Sequence, residues 1–163
     1  MSDLLKEREN ILNRLSSKYN QWVMSMKSKE EDRKAQFQIL SSPEAQTDKS
    51  ENHIYLAAKE KVMQLNAEIK TLSDKQDAYR DFASQEYKPS DTICIGSVIR
   101  IELLRDNREF IICLVPEGLG SASIGAVPIN CPVGSVIIGK RAGDEVTVRS
   151  LSGLLVYRIK EVY

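Results

Sequence analysis

The chain has 163 residues, 28% of them charged, and a formal net charge of zero. Such a balance argues against nonspecific binding of duplex DNA, which requires a surplus of Lys and Arg. No apolar run approaches the roughly 20 residues of a membrane-spanning helix, so we expect no membrane span, and the first residues, MSDLLKEREN, indicate a cytoplasmic protein.

Glycine and proline divide the chain into two parts. Residues 1–88 contain a single proline, Pro43, and no glycine, whereas all eight glycines and the other four prolines lie from Pro89 onward. Because both residue types interrupt helices and favour turns, the first part is predicted to be helical and the second to consist mostly of strands and turns. We therefore predict two domains, residues 1–87 and 88–163.

The helical part carries two apolar seams with alternating steps of three and four, which are typical of coiled coils. Pro43 ends the first helix, and Ser42, Asp48 or Ser50 is expected to cap the next one. The pattern predicts an antiparallel coiled-coil hairpin with an acidic tip near residues 44–52, without apolar surface at the tip, and with Met26 facing Ile69. The first seam comprises Leu4, Ile11, Leu15, Tyr19, Trp22, Met26, Arg33, Phe37 and Leu40, and the second comprises Tyr55, Ala58, Val62, Leu65, Ile69, Leu72, Gln76 and Tyr79.

The second part is predicted to be a small, mostly antiparallel sheet, so the fold class is α+β. Strands are predicted at 92–104 and 108–117 around a polar turn, then within 127–148, and finally at 154–163. The three cysteines lie far apart and lack the spacing of a zinc site, and we expect them to be buried, reduced thiols in strands. They are Cys94, Cys113 and Cys131.

Two stretches, DKSENHIYLAAKE (48–60) and NCPVGSVIIGKRAGDEVTV (130–148), together with the ending GLLVYRIKEVY, resemble the bacterial Gre transcript-cleavage factors, GreA and GreB. The resemblance implies an FKBP-like C-terminal domain that anchors the protein at the entrance of the RNA polymerase secondary channel. It also implies that the hairpin enters the channel, where tip carboxylates and polymerase jointly hold Mg²⁺. The factor is then no enzyme by itself, but stimulates polymerase to cleave backtracked RNA near its 3′ end. We expect a monomer.

Asp48 and Glu51 are three residues apart, so in a helical turn they face the same way. Their spacing alone also suits a helix cap plus a solvated acid, but the resemblance implies that they are the catalytic Mg²⁺ ligands. Asn52 is expected to support the tip by orienting a water or contacting the backbone, and Tyr55 by packing against it. Candidate contacts to RNA phosphates are Lys59, Arg33, Lys34 and Lys49.

Two positions depart from the family pattern, which usually has a third acid where this chain has Ile54 and a glycine where it has Thr47. The family also includes members that enter the channel and regulate without cleaving. An alternative function is therefore a noncatalytic regulator or inhibitor that occludes the channel of RNA polymerase. A prolyl isomerase with a helical arm would rest on the fold alone, and fold does not imply function.

Overall fold

The computed structural model describes residues 3–46, 52–150 and 153–163. Two long helices, α1 (Asp3–Leu40) and α3 (His53–Ser84), flank the short helix α2 (Pro43–Gln46) and precede a five-stranded sheet. The chain divides into two compact units, an arm unit of Lys18–Asp77 and a sheet unit that joins the residues up to Ser17 to Ala78–Tyr163. Within the described ranges, no helix is long and apolar enough to cross a membrane.

In the arm unit, α1 and α3 run antiparallel, because partners later in α1 meet partners earlier in α3. Lys29 pairs with Glu68, and Arg33 Nη1 donates to Asn66 Oδ1 at 3.0 Å. Met26 was predicted to face Ile69. Its Sδ accepts a hydrogen bond from Gln76 Nε2 at 3.4 Å, so this contact lies further along α3 than predicted. Gln76 is only 3% exposed, and a buried amide needs a polar partner, which the Met26 sulfur provides.

The predicted seam of α3 is confirmed, since all eight of its residues are buried or half-buried. Eight of the nine residues of the α1 seam are buried or half-buried, including the last, Leu40. The seam fails only at Phe37, which is 49% exposed while the neighbouring Gln36 is half-buried.

The sheet has the strand order β3-β2-β1-β5-β4, and every neighbouring pair is antiparallel except β2 and β3. This confirms the predicted α+β class with a mostly antiparallel sheet. The first strand begins six residues later than the predicted residue 92, because Gly96 turns the chain with φ +93°. The bounds are β1 Val98–Leu103, β2 Arg108–Val115, β3 Ala126–Pro128, β4 Glu145–Ser150 and β5 Gly153–Val162, with the short helix α4 at Gly134–Ile137.

One face of the sheet packs on α4 and forms the main core, whereas the other carries ion pairs. On that second face Arg100 donates hydrogen bonds to Asp3 at 3.0 Å and to Glu161 at 3.4 Å, and the bond that it donates to Asp3 raises the pKa of Arg100. Arg158 bonds Glu145 at 2.8 Å. The core residues are Ile93, Ile99, Ile101, Ile112, Leu114, Ile137, Val146 and Ile159.

The ends of the two long helices belong to the sheet unit. Arg8 Nε donates to the carbonyl of Gly96 at 3.2 Å, and its guanidinium lies 4.2 Å from the ring centroid of Tyr87. The Tyr87 hydroxyl in turn donates to Ser97 Oγ at 3.3 Å. Residues before 88 thus contribute to the compact sheet unit, and the division into domains 1–87 and 88–163 stays a prediction about independent folding.

The cysteine expectation holds only for Cys113, which is fully buried in β2. Burial raises the pKa of its thiol to about 12. Cys94 and Cys131 are free thiols as expected, but they are half-buried and lie outside the strands. Apolar flanking residues therefore did not place these two in the sheet. The Cys94 carbonyl accepts the N–H of Ser97 at 3.1 Å across the turn that precedes β1, and Cys131 lies at a bend before α4.

Candidate functional site

The candidate site is the tip of the arm unit, where the chain passes from α1 through α2 to α3. Asp48, Glu51 and Lys49, with Thr47, lie outside the described residues, so their roles stay predictions. The structure describes the two segments that flank them, which end at Gln46 and resume at Asn52. These flanking segments determine how the chain leaves one helix and enters the next.

The first flank is a short helix with its own cap. Helix α1 ends at Leu40, and Pro43 is the first residue of α2, where its missing N–H costs no hydrogen bond. Ser42 Oγ accepts the backbone N–H of Ala45 at 3.3 Å, so Ser42 is the N-cap of α2, a short helix that was not predicted, and not of the second long helix. Ala45, the residue that receives this cap, is fully buried.

The second flank begins with Asn52, which caps α3. Asn52 Oδ1 accepts the backbone N–H of Ile54 at 3.0 Å and of Tyr55 at 3.2 Å. The same amide uses Nδ2 to donate to the backbone carbonyl of Glu44 at 2.6 Å. The prediction that Asn52 contacts the backbone matches this geometry. Asn52, which was not among the three cap candidates, is the residue at the N-cap position of α3.

The side chains after Asn52 alternate between packing and exposure. Tyr55 is half-buried, consistent with packing at the tip. Ile54 is 56% exposed and Leu56 44% exposed, so the expectation of a tip without apolar surface was wrong. The first turn of α3 presents these side chains away from the seam that holds Tyr55 and Ala58.

The basic side chains that are candidates for RNA contact differ in their exposure and in their hydrogen bonds. Lys34 and Lys59 are exposed, whereas Arg33 is half-buried and hydrogen-bonded to Asn66. Lys29 is committed to an ion pair with Glu68, and hydrogen bonds from Lys29 and Gln64 lower the pKa of Glu68. Of the described candidates, Lys34 and Lys59 are therefore the more exposed, and Arg33 is the one held by a side-chain hydrogen bond.

Among the described residues, no group of three His, Cys, Asp or Glu side chains is arranged to hold a metal ion. The donor chemistry of Asp48 and Glu51 nevertheless fits Mg²⁺, which prefers carboxylate oxygens. Two carboxylates leave most of an octahedral shell unfilled, so such a site would need further oxygen ligands, which for Mg²⁺ usually include several waters.

The sheet unit carries a shallow apolar groove that sequence analysis missed. Val133 precedes α4, Val148 lies in β4, and Leu155 and Tyr157 lie in β5, with Arg149 at the rim. Strand pairing creates the groove, because Val148 and Leu155 are opposite each other in the β4–β5 register. The sequence signal that could have indicated it is the apolar run Leu154–Val156 in the last strand, of which Leu155 lines the groove.

The similarity to known proteins extends over most of the chain. The transcription elongation factor GreA of Chlorobaculum parvum is 30% identical over 132 residues, which cover 80% of this chain and 82% of that protein. The chain belongs to the GreA/GreB family. The family described as "Transcription elongation factor, GreA/GreB, C-term" matches residues 88–163 of this Gre-family chain.

Other matches to this Gre factor come from further bacteria. The transcription elongation factor GreA of Streptococcus pneumoniae is 28% identical, and the match covers 71% of each chain. Among solved structures, the GreA factor homolog 1 (Gfh1) protein of Thermus thermophilus is 16% identical, with a TM-score of 0.41 and coverage of 89% of this chain and 94% of that chain. Relatives and family together make the chain a transcription elongation factor of the Gre family.

Proposed function

We propose that this Gre factor acts as a monomer that enters the secondary channel of bacterial RNA polymerase and stimulates cleavage of backtracked RNA. Catalysis stays with the polymerase, and the tip residues Asp48 and Glu51 supply carboxylate oxygens to a shared Mg²⁺. The observation that carries the proposal is the placement of the tip motif between two long antiparallel helices in a chain similar to GreA. Helix α3, with 32 residues, extends about 48 Å, which suits a reach into a channel.

Each part of the tip has a physical task in this proposal. The bound Mg²⁺ would activate water for attack on the RNA phosphodiester and offset negative charge at the phosphate. Asp48 and Glu51 hold and orient it, while polymerase carboxylates and RNA phosphates complete the oxygen shell. Lys59 and Lys34, both exposed, attract the displaced 3′ segment of RNA through its phosphates. Lys49 is proposed for the same task, and the half-buried Arg33 for a weaker one.

The anchor is proposed to be the groove of Val133, Val148, Leu155 and Tyr157 in the sheet unit. Its apolar lining and cationic rim suit a polymerase surface that offers apolar side chains with acidic neighbours. Affinity then resides mainly in the sheet unit and activity in the tip. This division of affinity and activity cannot rest on a tip without apolar surface, because Ile54 and Leu56 are exposed there. It rests on the sequence, in which the residues of the groove lie far from Asp48 and Glu51.

The test uses stalled, backtracked elongation complexes with labelled RNA. Asp48→Asn and Glu51→Gln keep side-chain size and remove charge, and each should reduce stimulated cleavage by roughly 10–1,000-fold, equivalent to about 1.4–4 kcal/mol of transition-state stabilisation. Higher Mg²⁺ should partly restore cleavage, and polymerase binding should change little. Glu44→Gln is the matched control, because Glu44 is an exposed acid of α2 outside the motif. If all three variants stimulated cleavage as well as the parent, Asp48 and Glu51 would not be Mg²⁺ ligands.

A second function is favoured by one observation, the exposed Ile54 at the position where the family usually has an acid. In this alternative the factor occupies the same channel and slows elongation without cleaving RNA. The same assay distinguishes the two functions, since shortened RNA 3′ ends appear only with the first. Slower elongation with intact 3′ ends would establish the regulator.

A further inference from the structure

Two adjoining cavities open beside Arg8 in the sheet unit. Their volumes are about 260 and about 310 Å³, close to the lower limit of about 300 Å³ for small-ligand sites. The cavities adjoin because four residues line both of them, namely Arg8, Phe82, Gln85 and Tyr87. None of these residues belongs to the apolar groove, so the cavities are a separate feature of the sheet unit.

The guanidinium of Arg8 is held in place along one edge and one face. Nε donates to the Gly96 carbonyl at 3.2 Å, and the group lies 4.2 Å from the ring centroid of Tyr87. Tyr87 is itself held by its hydrogen bond to Ser97 at 3.3 Å and by Gly96, where an added Cβ would lie 2.9 Å from the ring. The cation is therefore positioned before any ligand binds, which lowers the entropy lost on binding.

The other edge of the guanidinium carries the N–H groups of Nη1 and Nη2. Among the described residues, no acceptor forms a hydrogen bond with either of these atoms. A fork of two parallel N–H groups matches the two oxygens of a carboxylate or of a phosphate. Arg8 is half-buried, so such an anion would bind in a partly dehydrated site, where charge-assisted hydrogen bonds are stronger than in open water.

The walls of the two cavities select among anions by charge and by apolar surface. Lys88 adds a second cation and Glu86 an acid, so the ionised groups of the lining leave one positive charge. A monoanion balances that charge, whereas a dianionic phosphate would place surplus negative charge near Glu86. The second cavity adds Leu12, Tyr79 and the buried Phe82 as an apolar and aromatic wall. A flat ring that carries one carboxylate therefore suits both walls.

We propose that Arg8 anchors a binding site for a small aromatic carboxylate. The carboxylate accepts hydrogen bonds from Nη1 and Nη2 of Arg8, and the ring lies against Leu12 and Phe82. The ligand contacts the start of α1, the end of α3 and the turn at Gly96 together, so it stabilises the sheet unit against unfolding. This site goes beyond the proposed function, since it uses neither the tip nor the groove.

The test titrates ¹⁵N-labelled full-length protein with 2-naphthoate and follows amide and arginine Nε signals by NMR. The signals of Gly96, Tyr87 and Arg8 Nε should shift and saturate with a dissociation constant at or below about 1 mM. The amides of Val148 and Leu155, which line the groove, should not shift. The neutral 2-naphthamide should bind about 10-fold more weakly, because its hydrogen bonds lack the second charge. The dianionic 2-naphthyl phosphate should also bind more weakly than 2-naphthoate.

Ala83→Glu tests the position of the site without changing Arg8. Ala83 is an exposed residue near the end of α3 that lines the second cavity, so an added carboxylate there competes for the fork or repels the ligand. Ser84→Glu is the matched control, because Ser84 is an exposed neighbour on the same helix and lines neither cavity. Ala83→Glu should weaken binding of 2-naphthoate by about 10-fold or more, and Ser84→Glu by less than about twofold.

Any of five results would overturn the proposal. The first is the absence of a saturable shift at Gly96 and Arg8 Nε up to about 10 mM 2-naphthoate. The second is equal binding of 2-naphthamide, and the third is an equal effect of Ala83→Glu and Ser84→Glu. The fourth is a shift at Val148 and Leu155 in place of Gly96, which would put the ligand in the groove. The fifth is tighter binding of 2-naphthyl phosphate, which would reject a carboxylate as the preferred ligand.

Discussion

Gly96 offers a test of how tightly the sheet unit is packed around Arg8 and Tyr87. It has φ +93°, and a Cβ added there would lie 2.9 Å from Cδ2 of Tyr87. Gly143 has the same φ, but no described atom lies within 4 Å of its added Cβ. Alanine at the two positions therefore imposes similar backbone strain, and only Gly96→Ala adds a steric clash.

The expected magnitudes combine backbone strain and steric overlap. A side chain at positive φ costs about 1–2 kcal/mol, so Gly143→Ala should lower the free energy of unfolding of the sheet unit by that amount. Extra volume in a packed site costs about 1–3 kcal/mol more, so Gly96→Ala should lower it by about 2–5 kcal/mol. The Tyr87 ring cannot turn aside freely, since Arg8 stacks on it and its hydroxyl bonds Ser97.

The measurement is native-state hydrogen exchange at the amides of β1, which reports the free energy of opening the sheet locally. In a double variant, Gly96→Ala with Tyr87→Ala, the steric overlap between the new methyl group and the ring is absent, whereas the backbone strain at position 96 remains. The difference between the double variant and the sum of the two single variants gives the coupling energy between the two sites. If Gly96→Ala were no more destabilising than Gly143→Ala, the ring would be free to move, and the packing argument for Gly96 would be refuted.

Three further predictions concern the groove, the tip and the buried thiol. Leu155→Asp should weaken polymerase binding by about 10–150-fold, because about 1.5–3 kcal/mol of apolar burial is lost, whereas Leu154→Asp on the opposite strand face should leave binding unchanged. Equal effects of the two variants in a competition binding assay would show that the groove is not the anchor. Ile54→Glu should raise stimulated cleavage and Ile54→Gln should not, and a parent level of cleavage with both would show that the missing acid is not limiting. Burial raises the pKa of Cys113 from 9.0 to about 12, so above pH 9 the unfolded chain loses this proton first. Unfolding free energy should then fall by up to about 1.4 kcal/mol per pH unit as the pH rises towards 12, and Cys113→Ala should remove that slope in urea titrations.

The parts of the fold that were predicted correctly are those that depend on local periodicity. The α3 seam from Tyr55 to Tyr79 repeats every three or four residues, and each position is buried or half-buried because the positions share one helix face. The α+β class was predicted from where glycine and proline occur. The parts that were missed depend on the environment in three dimensions. The start of β1 at Val98 is set by the turn at Gly96, which must leave room for the Tyr87 ring.

At the tip, too, the sequence indicated the residue types of the candidate site but not the contacts between separate segments. A sequence motif can indicate that the carboxylates of Asp48 and Glu51 act together, because residues three apart on a helix face the same way. It cannot show which polar residue links the two flanks, because a bond between Asn52 and Glu44 depends on where two separate helices end and begin. Asparagine and aspartate are equivalent caps by propensity. What distinguishes them here is the Glu44 carbonyl, which accepts a hydrogen bond from Asn52 Nδ2 at 2.6 Å and could not accept one from an aspartate.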